Sequence, residues 1–592
     1  MSRVFSSGYT AVTVFTALAA VFGAASPAQA SDPAASDLAA WQRTGQPDRL
    51  LVIRPGMVDL VRHGVLESRR ISGAGAVPLS WLVTNTGSEW IDRHGDDLSV
   101  VQIRAAVLLS PGSGLRIGAV TKKVLFTTGD STASATWIRG SRATLDIRDT
   151  TLAATGPSGG TMVRPYISMG SGGRLDITDS TISGFGLTGR ASSRFSGVTW
   201  GKGSAGSAVG ARFEGNRTGL RLEGSTGVRL NNVTVEHSLQ DGVVLSGDTG
   251  TSVAGLTSRS SGRNGVVVGG TANRTLSGIT TQDSSGIGIR ATPQNGLVLN
   301  GIQSRSDRGG GIRLQSCAEC TITGAAVQGT QVAVAVTGPG SRAVVKAPRL
   351  TGSRTGISLD EDIESATVTG GTVSGFQRGI AISGPKATVT GTRIENGLTG
   401  ISLNGKARHA VVHDVRIDDC RTGMTAGSTT TDVSLTGVRV TNASGKGLTS
   451  ASPGLRVTDG HVSGASTAID LAAPALLDKV TVTGAHRGIH LTPGVRATGT
   501  ALDVLAERKG IEADRGAVID ITDSRIRAPL ALGGAGRILS HGRTVVTLPP
   551  FPWLGGAAIL ALLTAIALQT VHQVRHRHTP RPQVPRHVRN TA

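Results

Sequence analysis

A four-residue phrase recurs every 20–24 residues over much of the chain: glycine, an apolar residue, any residue, and a second apolar residue. Successive copies begin at Gly219, Gly242, Gly265 and Gly288, and the fourteenth begins at Gly510, with alanine replacing the glycine twice. A period of this length, held over so many copies, is typical of a solenoid in which each repeat packs against its neighbours. The 592 residues are therefore not predicted to form a string of separate globular domains.

Each repeat contains a second phrase, in which two short alternating segments flank one glycine, asparagine or aspartate, as in 388–394 (TVTGTRI). Strand alternation directs the Val and Ile side chains inward and the Thr and Arg side chains outward. Glycine, asparagine and aspartate enter the left-handed backbone region most easily, so they suit a sharp bend, and this explains why 83 residues are glycine. Each repeat is predicted to be three short strands. On this interpretation Asp149 and Asp179, which resemble parts of a metal cluster, are bend residues.

Repeats of about 22 residues built in this way resemble those of right-handed parallel β-helix proteins, the pectate-lyase-like superfamily. The likeness is to the repeats of its carbohydrate-binding and sugar-hydrolysing members, and it extends over residues 98–545. It implies an all-β solenoid of about 20 coils. Residues 31–97 are not repetitive, and we expect them to cap the solenoid or to form a small separate domain, because an open solenoid end exposes apolar core and strand edges.

The catalytic phrases of that superfamily are present here only as fragments. An Asp-Asp pair occurs at Asp418-Asp419, without the Asn-Thr-Asp, Gly-His-Gly and Arg-Ile-Lys phrases that accompany such a pair in polygalacturonases. The Asp-Pro-His-Glu phrase of mannuronan epimerases does not occur either. The resemblance therefore implies a fold and a connection with carbohydrates, and it assigns no catalytic residue.

The two ends of the chain are predicted to be targeting and anchoring segments. Residues 1–30 contain an early arginine, an apolar core and a small-x-small site at Ala28–Ala30, which is typical of a cleaved secretory signal. Residues 553–571 are 19 residues without a charge, which as a helix would extend about 28 Å, close to one bilayer core. The basic tail, 572–592, has five arginines and no acid. These features predict a single-pass protein of the cell envelope, with a large extracellular body, one transmembrane helix and a cytoplasmic tail.

One candidate catalytic group follows from the repeat register. The third residue of the recurring phrase points outward, and in three successive repeats it is Asp470, His490 and Glu512. Neighbouring coils lie about 4.8 Å apart, so the two acids are expected about 9.6 Å apart, near the upper limit for the carboxyl pair of an inverting glycosidase. The alternative is a solvated polar ladder on the outer face of a sheet.

A basic residue precedes the glycine of the phrase in many repeats, and the net charge of the chain is +20. We call these nine residues the basic stripe: Arg217, Arg263, Arg308, Arg354, Arg378, Arg421, Lys446, Arg487 and Arg508. Placed at one turn of successive coils, they predict a surface that binds an acidic polysaccharide or an anionic cell-wall polymer. The alternative is ordinary solubilisation of the turns.

Nucleic acid is not an expected partner, because the body is predicted to be exported and Phe376 is the one aromatic residue between Phe213 and Phe551. The same gap argues against stacking on neutral sugars there. Any stacking aromatics are expected in the N-terminal part: Trp81, Trp90, Trp137, Tyr166, Phe185, Phe195 and Trp200.

The remaining motifs are local. Cys317 and Cys320 span a turn between strands, and in an exported protein they are expected to form a small disulfide rather than a redox centre. The acidic run Asp360-Glu361-Asp362, with Glu364, is either a solvated turn or a calcium site. We predict no cofactor and assign no metal ligand.

Two functional hypotheses remain. The first is a non-catalytic rod that binds or presents an anionic glycan at the cell envelope. The second is a polysaccharide lyase or glycoside hydrolase with a non-standard site at Asp470, His490 and Glu512.

Overall fold

The computed structural model describes residues 47–577 apart from 95–97, 132, 157–162, 187–194, 271, 293 and 549–552. The predicted signal, the start of the predicted cap (31–46) and the end of the predicted tail (578–592) lie outside the described residues. The described chain is a right-handed parallel β-solenoid of about 19 turns, which confirms the predicted β-helix.

Three parallel strand ladders, which we call sheets 1, 2 and 3, run along the solenoid, and each coil visits them in that order. Most strands of sheet 1 contain the recurring glycine phrase, and they are Arg49–Arg54, Ala106–Leu109, Trp137–Ser141, Tyr166–Gly170, Gly197–Trp200, Thr218–Glu223, Val243–Ser246, Val266–Gly269, Ile287–Thr292, Gly310–Gln315, Val332–Thr337, Thr355–Leu359, Lys446–Ser450, Thr467–Leu471 and Leu530–Gly533.

Sheets 2 and 3 lie on either side of the sharp bend. The strands of sheet 2 are Val77–Pro78, Gly114–Ile117, Thr144–Arg148, Arg174–Thr178, Ala205–Val209, Ala272–Ser277, Gln294–Asn300, Cys317–Ala318, Cys320–Thr323, Arg342–Lys346, Ser365–Thr369, Ala387–Thr390, Val411–His413, Ser434–Thr436, Leu455–Thr458, Ala475–Asp478, Arg496–Thr500, Val518–Thr522 and Arg537–His541. Those of sheet 3 are Val100–Ile103, Lys123–Thr127, Thr151–Thr155, Thr181–Ser183, Arg212–Glu214, Ile279–Gln282, Gln303–Arg305, Ala326–Gln328, Arg349–Thr351, Arg439–Thr441, His461–Ser463, Arg525–Arg527 and Val545–Thr547. Strand Ile91–Arg93 pairs antiparallel with Val100–Ile103 at the end of this sheet.

Some strands continue through a corner of the coil. Two run from sheet 2 into sheet 3, Arg229–Glu236 and Ser252–Arg259. Five run from sheet 3 into sheet 1, and these are Thr372–Ile382, Arg393–Leu403, Arg416–Ala426, Thr481–Leu491 and Asp503–Ala513.

The core is a set of apolar columns along the solenoid axis. In sheet 1, Ile469 pairs with Ile489 and Ile489 with Ile511, and all three side chains are fully buried. Alternation along each strand directs every second side chain into the interior, and parallel stacking then places like residues on like residues. The residues between these inward positions have their side chains on the outer face of sheet 1.

The bends behave as the sequence predicts. Asp149 and Asp179 have φ values of 51° and 45°, in the left-handed region that aspartate tolerates better than most residues. Both are therefore bend residues, which confirms their interpretation as parts of the fold.

Residues before the regular coils close one end of the solenoid. Strand Arg49–Arg54 joins sheet 1 in parallel and continues into antiparallel strands Gly56–Arg62 and Val65–Gly73. Helix α1 (Leu79–Asn85) and the loop after it place Leu82 and Trp90, which are 0% and 2% exposed, in the continuous core. This segment covers apolar residues of the first coil.

The last coil is followed by helix α2 (Trp553–Arg577), which contains the predicted span 553–571. Within the described residues, no helix combines the length and the hydropathy that crossing a membrane requires.

Candidate functional site

Sheet 1 brings Asp470, His490 and Glu512 together on its outer face, in the register that the repeat predicts. Asp470 pairs with His490 and His490 with Glu512 across adjacent parallel strands. The side chains are only 10%, 15% and 14% exposed, so the column is set into the surface.

His490 is held by carboxylates on both sides of its ring. Its Nδ1 atom lies 2.7 Å from Oδ1 of Asp470, and its Nε2 atom lies 3.2 Å from Oδ2 of Asp514. Asp514 follows the strand of Glu512 by one residue and was not among the predicted site residues. Its position two residues beyond an outward-facing residue was the signal that could have identified it.

Asp470 is also bound by Lys446, a member of the basic stripe. Burial raises the pKa of the Asp470 carboxyl group, but hydrogen bonds from Lys446 and His490 outweigh it, and the resulting pKa lies below the ordinary value. Asp470 is thus ionised at neutral pH.

Glu512 is paired with cations rather than with His490. Lys509 Nζ donates to its Oε1 atom at 2.5 Å, and Arg487 Nε lies 2.8 Å from its Oε2 atom. The Oε2 atom is buried and accepts no well-aligned hydrogen bond, so the Arg487 contact is an ion pair. Burial raises the pKa of Glu512, and these two cations more than offset it, so that the pKa is lowered overall.

This arrangement is a charge-balanced network. An inverting glycosidase needs one carboxyl group that stays protonated to donate a proton and a second that stays ionised. Asp470 and Glu512 both have lowered pKa values, so neither is a suitable general acid. The one group in the network that is still suited to catalysis is His490, whose ring is oriented by Asp470.

The basic stripe is split between two neighbouring positions of the coil. Arg378, Lys446 and Arg487 share one register at the start of the sheet 1 strands. Arg354, Arg421 and Arg508 precede that register by one residue. The single column expected from the sequence is therefore a staggered band, because the basic residue lies one residue before the glycine in some coils and two before it in others.

Most of the stripe is free to meet a ligand. Lys446 and Arg487 are committed to Asp470 and Glu512, and Arg217 is half-buried and has a partner. Six members are exposed and make no ion pair with any described residue: Arg263, Arg308, Arg354, Arg378, Arg421 and Arg508.

The N-terminal aromatic residues are not the stacking platforms that the sequence suggested. Trp90, Trp200 and Phe185 are 0–2% exposed and belong to the core. Trp137 and Tyr166 stack with ring centroids 6.1 Å apart, and both are buried. Partial exposure remains at Trp81 and at Phe195.

A groove beside Phe195 was not predicted. It lies on the outer face of sheet 1 near the N-terminal end, and its volume is about 740 Å³. Its floor consists of glycines and hydroxyl residues such as Ser168 and Thr199, and Arg139, Lys202 and Glu223 supply its charges. The Arg139 guanidinium lies 5.2 Å from the Phe195 ring centroid, which holds the arginine against an apolar wall. Burial raises the pKa of nearby Tyr166 to about 12, so its hydroxyl group stays protonated.

The remaining predicted motifs are local features. Cys317 and Cys320 form a disulfide, with Cα atoms 5.8 Å apart. In the acidic run, Lys406 Nζ lies 3.6 Å from Asp362 and 3.9 Å from Glu361. Among the described residues, no group of three or more histidine, cysteine, aspartate or glutamate side chains could hold a metal ion.

Comparison with known protein families gives a match within the repeat region. The family model "right handed beta helix region" matches residues 196–347 and 332–490, about half of the chain. No curated protein sequence matches significantly.

Three solved structures are similar in outline. A periplasmic alginate epimerase is 11% identical, with 80% of this chain and 84% of that chain covered and a TM-score of 0.25. The pre-mature gene product 12 of bacteriophage phi29 is 12% identical, with 76% and 69% covered and a TM-score of 0.36. A family 28 exopolygalacturonase from Yersinia enterocolitica is 10% identical, with 74% and 89% covered and a TM-score of 0.27.

Identities and TM-scores this low carry no inference about activity. The repeat, the coil geometry and the family model together show that this chain belongs to the right-handed parallel β-helix proteins.

Proposed function

We propose that this protein is a non-catalytic rod of the cell envelope that binds an anionic polysaccharide along the basic stripe. The observation that supports this most directly is the set of six exposed stripe arginines without an internal ion pair. In a chain of net charge +20, these guanidinium groups form a band of positive potential along one edge of sheet 1.

The spacing of these arginines suits a long ligand. Arg263, Arg308 and Arg354 each lie two coils apart, which corresponds to about 9.6 Å. Single exposed charges bind weakly, whereas a polymer that contacts several of them gains affinity by multivalency. The preferred ligand is thus a polymer with regularly repeated negative charges.

The test uses the purified full-length chain with polygalacturonate as the anionic probe and dextran as the neutral one. Binding of polygalacturonate should weaken steeply as salt rises, because exposed charges are screened within about 8–10 Å near physiological ionic strength. Replacing Arg354, Arg378 and Arg421 by Gln should weaken it further without lowering the melting temperature much, since exposed turn changes usually cost under about 0.5 kcal/mol.

The matched control removes the same charge from another face. Arg349, Arg416 and Arg439 are exposed on sheet 3 and have no ion pair among the described residues. Their replacement by Gln should leave binding close to that of the wild type. Equal losses from both triple variants would mean that net charge alone attracts the polymer, and salt-insensitive binding would refute the stripe.

We further propose that residues 553–571 anchor the rod in the membrane, with the body outside the cell, although helix α2 falls short of the length and hydropathy of a span over its described residues. The support is the uncharged sequence 553–571 followed by an arginine-rich tail. In addition, seven apolar side chains of α2 are more than half exposed and require an apolar environment: Ile559, Leu560, Leu562, Leu563, Ile566, Leu568 and Val571.

A reporter fused after Ala592 tests this orientation. It should be active in the cytoplasm only, and protease added to intact cells should remove the body while leaving the tail. A tail that is digested from outside, or a body that stays protected inside, would contradict the tether.

An enzymatic alternative has one supporting observation, the histidine oriented by Asp470. If this group is catalytic, Asp470→Asn and Glu512→Gln should each abolish release of uronide or neutral sugar products, because an amide is neither a general acid nor a base at neutral pH. Turnover that survives both changes would eliminate the enzymatic alternative at this column.

A further inference from the structure

Two adjacent arginines on the outer face of sheet 1 have no acidic partner among the described residues. Arg290 and Arg313 occupy the outward position in adjacent coils and pair directly in the parallel register. Both side chains are half-buried, and their Nε atoms are buried without a hydrogen-bond partner.

No carboxylate of the described chain lies within ion-pair distance of either residue. Arg290 makes one long contact, from Nη2 to Oε1 of Gln315 at 3.4 Å. The flanking outward residues in the same column are Val267 on one side and Ala335 on the other. The two guanidinium groups therefore emerge between an apolar and a small residue.

Some outward arginines of the fold do have an acid on the same strand or one coil away. Arg393 Nε lies 2.7 Å from Glu395, and Arg527 Nη2 lies 2.9 Å from Asp503. At Arg290 and Arg313 the neighbour one coil away is instead a second cation. Like charges on adjacent coils repel each other, and a buried donor without an acceptor destabilises the fold further.

We propose that Arg290 and Arg313 form a binding site for one oxyanion, namely a carboxylate or sulfate group of an acidic saccharide. Guanidinium groups present planar pairs of donors that match an oxyanion, and partial burial strengthens such charge-assisted hydrogen bonds. An anion between the two coils would satisfy the unpaired donors and cancel the repulsion. The site lies on the face of sheet 1, separate from the basic stripe, and does not rest on polymer binding there.

The test measures the affinity of the full-length protein for trigalacturonate and for inorganic sulfate, at constant ionic strength. The double variant Arg290→Gln and Arg313→Gln should bind trigalacturonate at least about tenfold more weakly, because it removes the charge-assisted hydrogen bonds to the oxyanion. The matched control is Arg349→Gln, which removes an exposed arginine from sheet 3 and should leave the affinity unchanged.

A second readout distinguishes a binding site from a structural one. Without ligand, the double variant should melt at the same temperature as the wild type or higher, because it removes repulsion and two unpaired donors. With saturating trigalacturonate, the melting temperature of the wild type should rise and that of the variant should not. A ligand-free variant that melts lower, together with unchanged affinity, would overturn the proposal.

The remaining outcomes separate this site from the basic stripe and identify the source of the anion. If the stripe triple variant loses polygalacturonate while the double variant keeps trigalacturonate, the oxyanion site is wrong and the stripe stands. If the double variant no longer binds trigalacturonate while the stripe variant still binds polygalacturonate, the oxyanion site stands and the stripe is wrong. Binding of sulfate without trigalacturonate would support the oxyanion site and assign it to a free inorganic anion.

Discussion

The ionisation of Asp470 is set by groups from the two neighbouring coils. Lys446 approaches from the preceding coil and His490 from the following one, and their hydrogen bonds hold the pKa below its usual value although burial opposes this. Lys509 and Arg487 lower the pKa of Glu512 in the same way. The column is therefore a set of ion pairs that joins coils at the surface.

These lowered pKa values predict a specific acid response. A carboxyl group whose pKa is lower in the folded than in the unfolded state adds stability above the unfolded-state value, and that stability is lost as pH falls through the folded-state value. Asp470→Asn should melt below the wild type at neutral pH, and the difference should shrink as pH falls below about 4. Melting curves between about pH 5 and pH 2.5 measure this.

The control for that experiment is Asp362→Asn, which removes an exposed carboxylate from the acidic run. The difference in melting temperature between this variant and the wild type should not shrink as pH falls. A difference between wild type and Asp470→Asn that stays constant down to the lowest pH would show that the ion pairs of Asp470 add no stability.

Inward positions of the same strand should respond very differently. Ile489 is fully buried between Ile469 and Ile511. Ile489→Asp would bury an unpaired carboxylate, and we expect a loss of more than about 4 kcal/mol or no folded protein. Ile489→Val removes one methylene and should cost about 0.5–1.5 kcal/mol, as measured by chemical denaturation. Similar effects of the two changes would mean that this column is not a packed core.

At the scale of the element, one residue at each sharp bend sets the course of the coil. Asp459 has a φ of 52° and connects a strand of sheet 2 with a strand of sheet 3. The left-handed conformation is what lets two strands meet at a corner without a longer loop, so the choice of residue there matters more than its charge.

We expect Asp459→Gly to keep the stability of the wild type within about 0.5 kcal/mol, because glycine adopts positive φ freely. Asp459→Val should lose about 1–2 kcal/mol, since a β-branched residue is strained at this φ. Equilibrium unfolding of the two variants beside the wild type provides the measurement. A loss for glycine as large as that for valine would assign Asp459 a role beyond the bend.

At the scale of the whole molecule, stability is distributed along a one-dimensional stack. Each coil packs against the coils before and after it, so a defect is expected to weaken its neighbours and to leave distant coils intact. The closed end is the place to test this, because Trp90 is 2% exposed there and packs into the same continuous core as the coils.

Trp90→Ala should remove about 3–5 kcal/mol of local packing. Hydrogen exchange should then accelerate in the strands Val100–Ile103 and Lys123–Thr127. The strands Thr481–Leu491 and Val518–Thr522, many coils away, should exchange at the wild-type rate. Uniform acceleration along the chain would mean that the rod unfolds as one cooperative unit.

The amino-acid sequence by itself determined the coil. The spacing of the glycine phrase gives the period, alternation places residues such as Ile489 inside, and aspartates such as Asp149 mark the bends. These features depend on one residue and its immediate neighbours, and every coil repeats them, so they can be recognised without knowing how coils are stacked.

Tertiary structure alone decided which charged groups meet. Lys446, a member of the basic stripe, binds Asp470, and Asp514, which follows the strand of Glu512, contacts His490. Arg290 and Arg313 occupy paired positions in adjacent coils without an acidic partner in the described chain. Repeat lengths vary from 20 to 24 residues, but the position just before the glycine keeps one register along sheet 1. Long polar side chains then reach partners in adjacent coils, and which partner each one reaches depends on the register and rotamers of the folded stack.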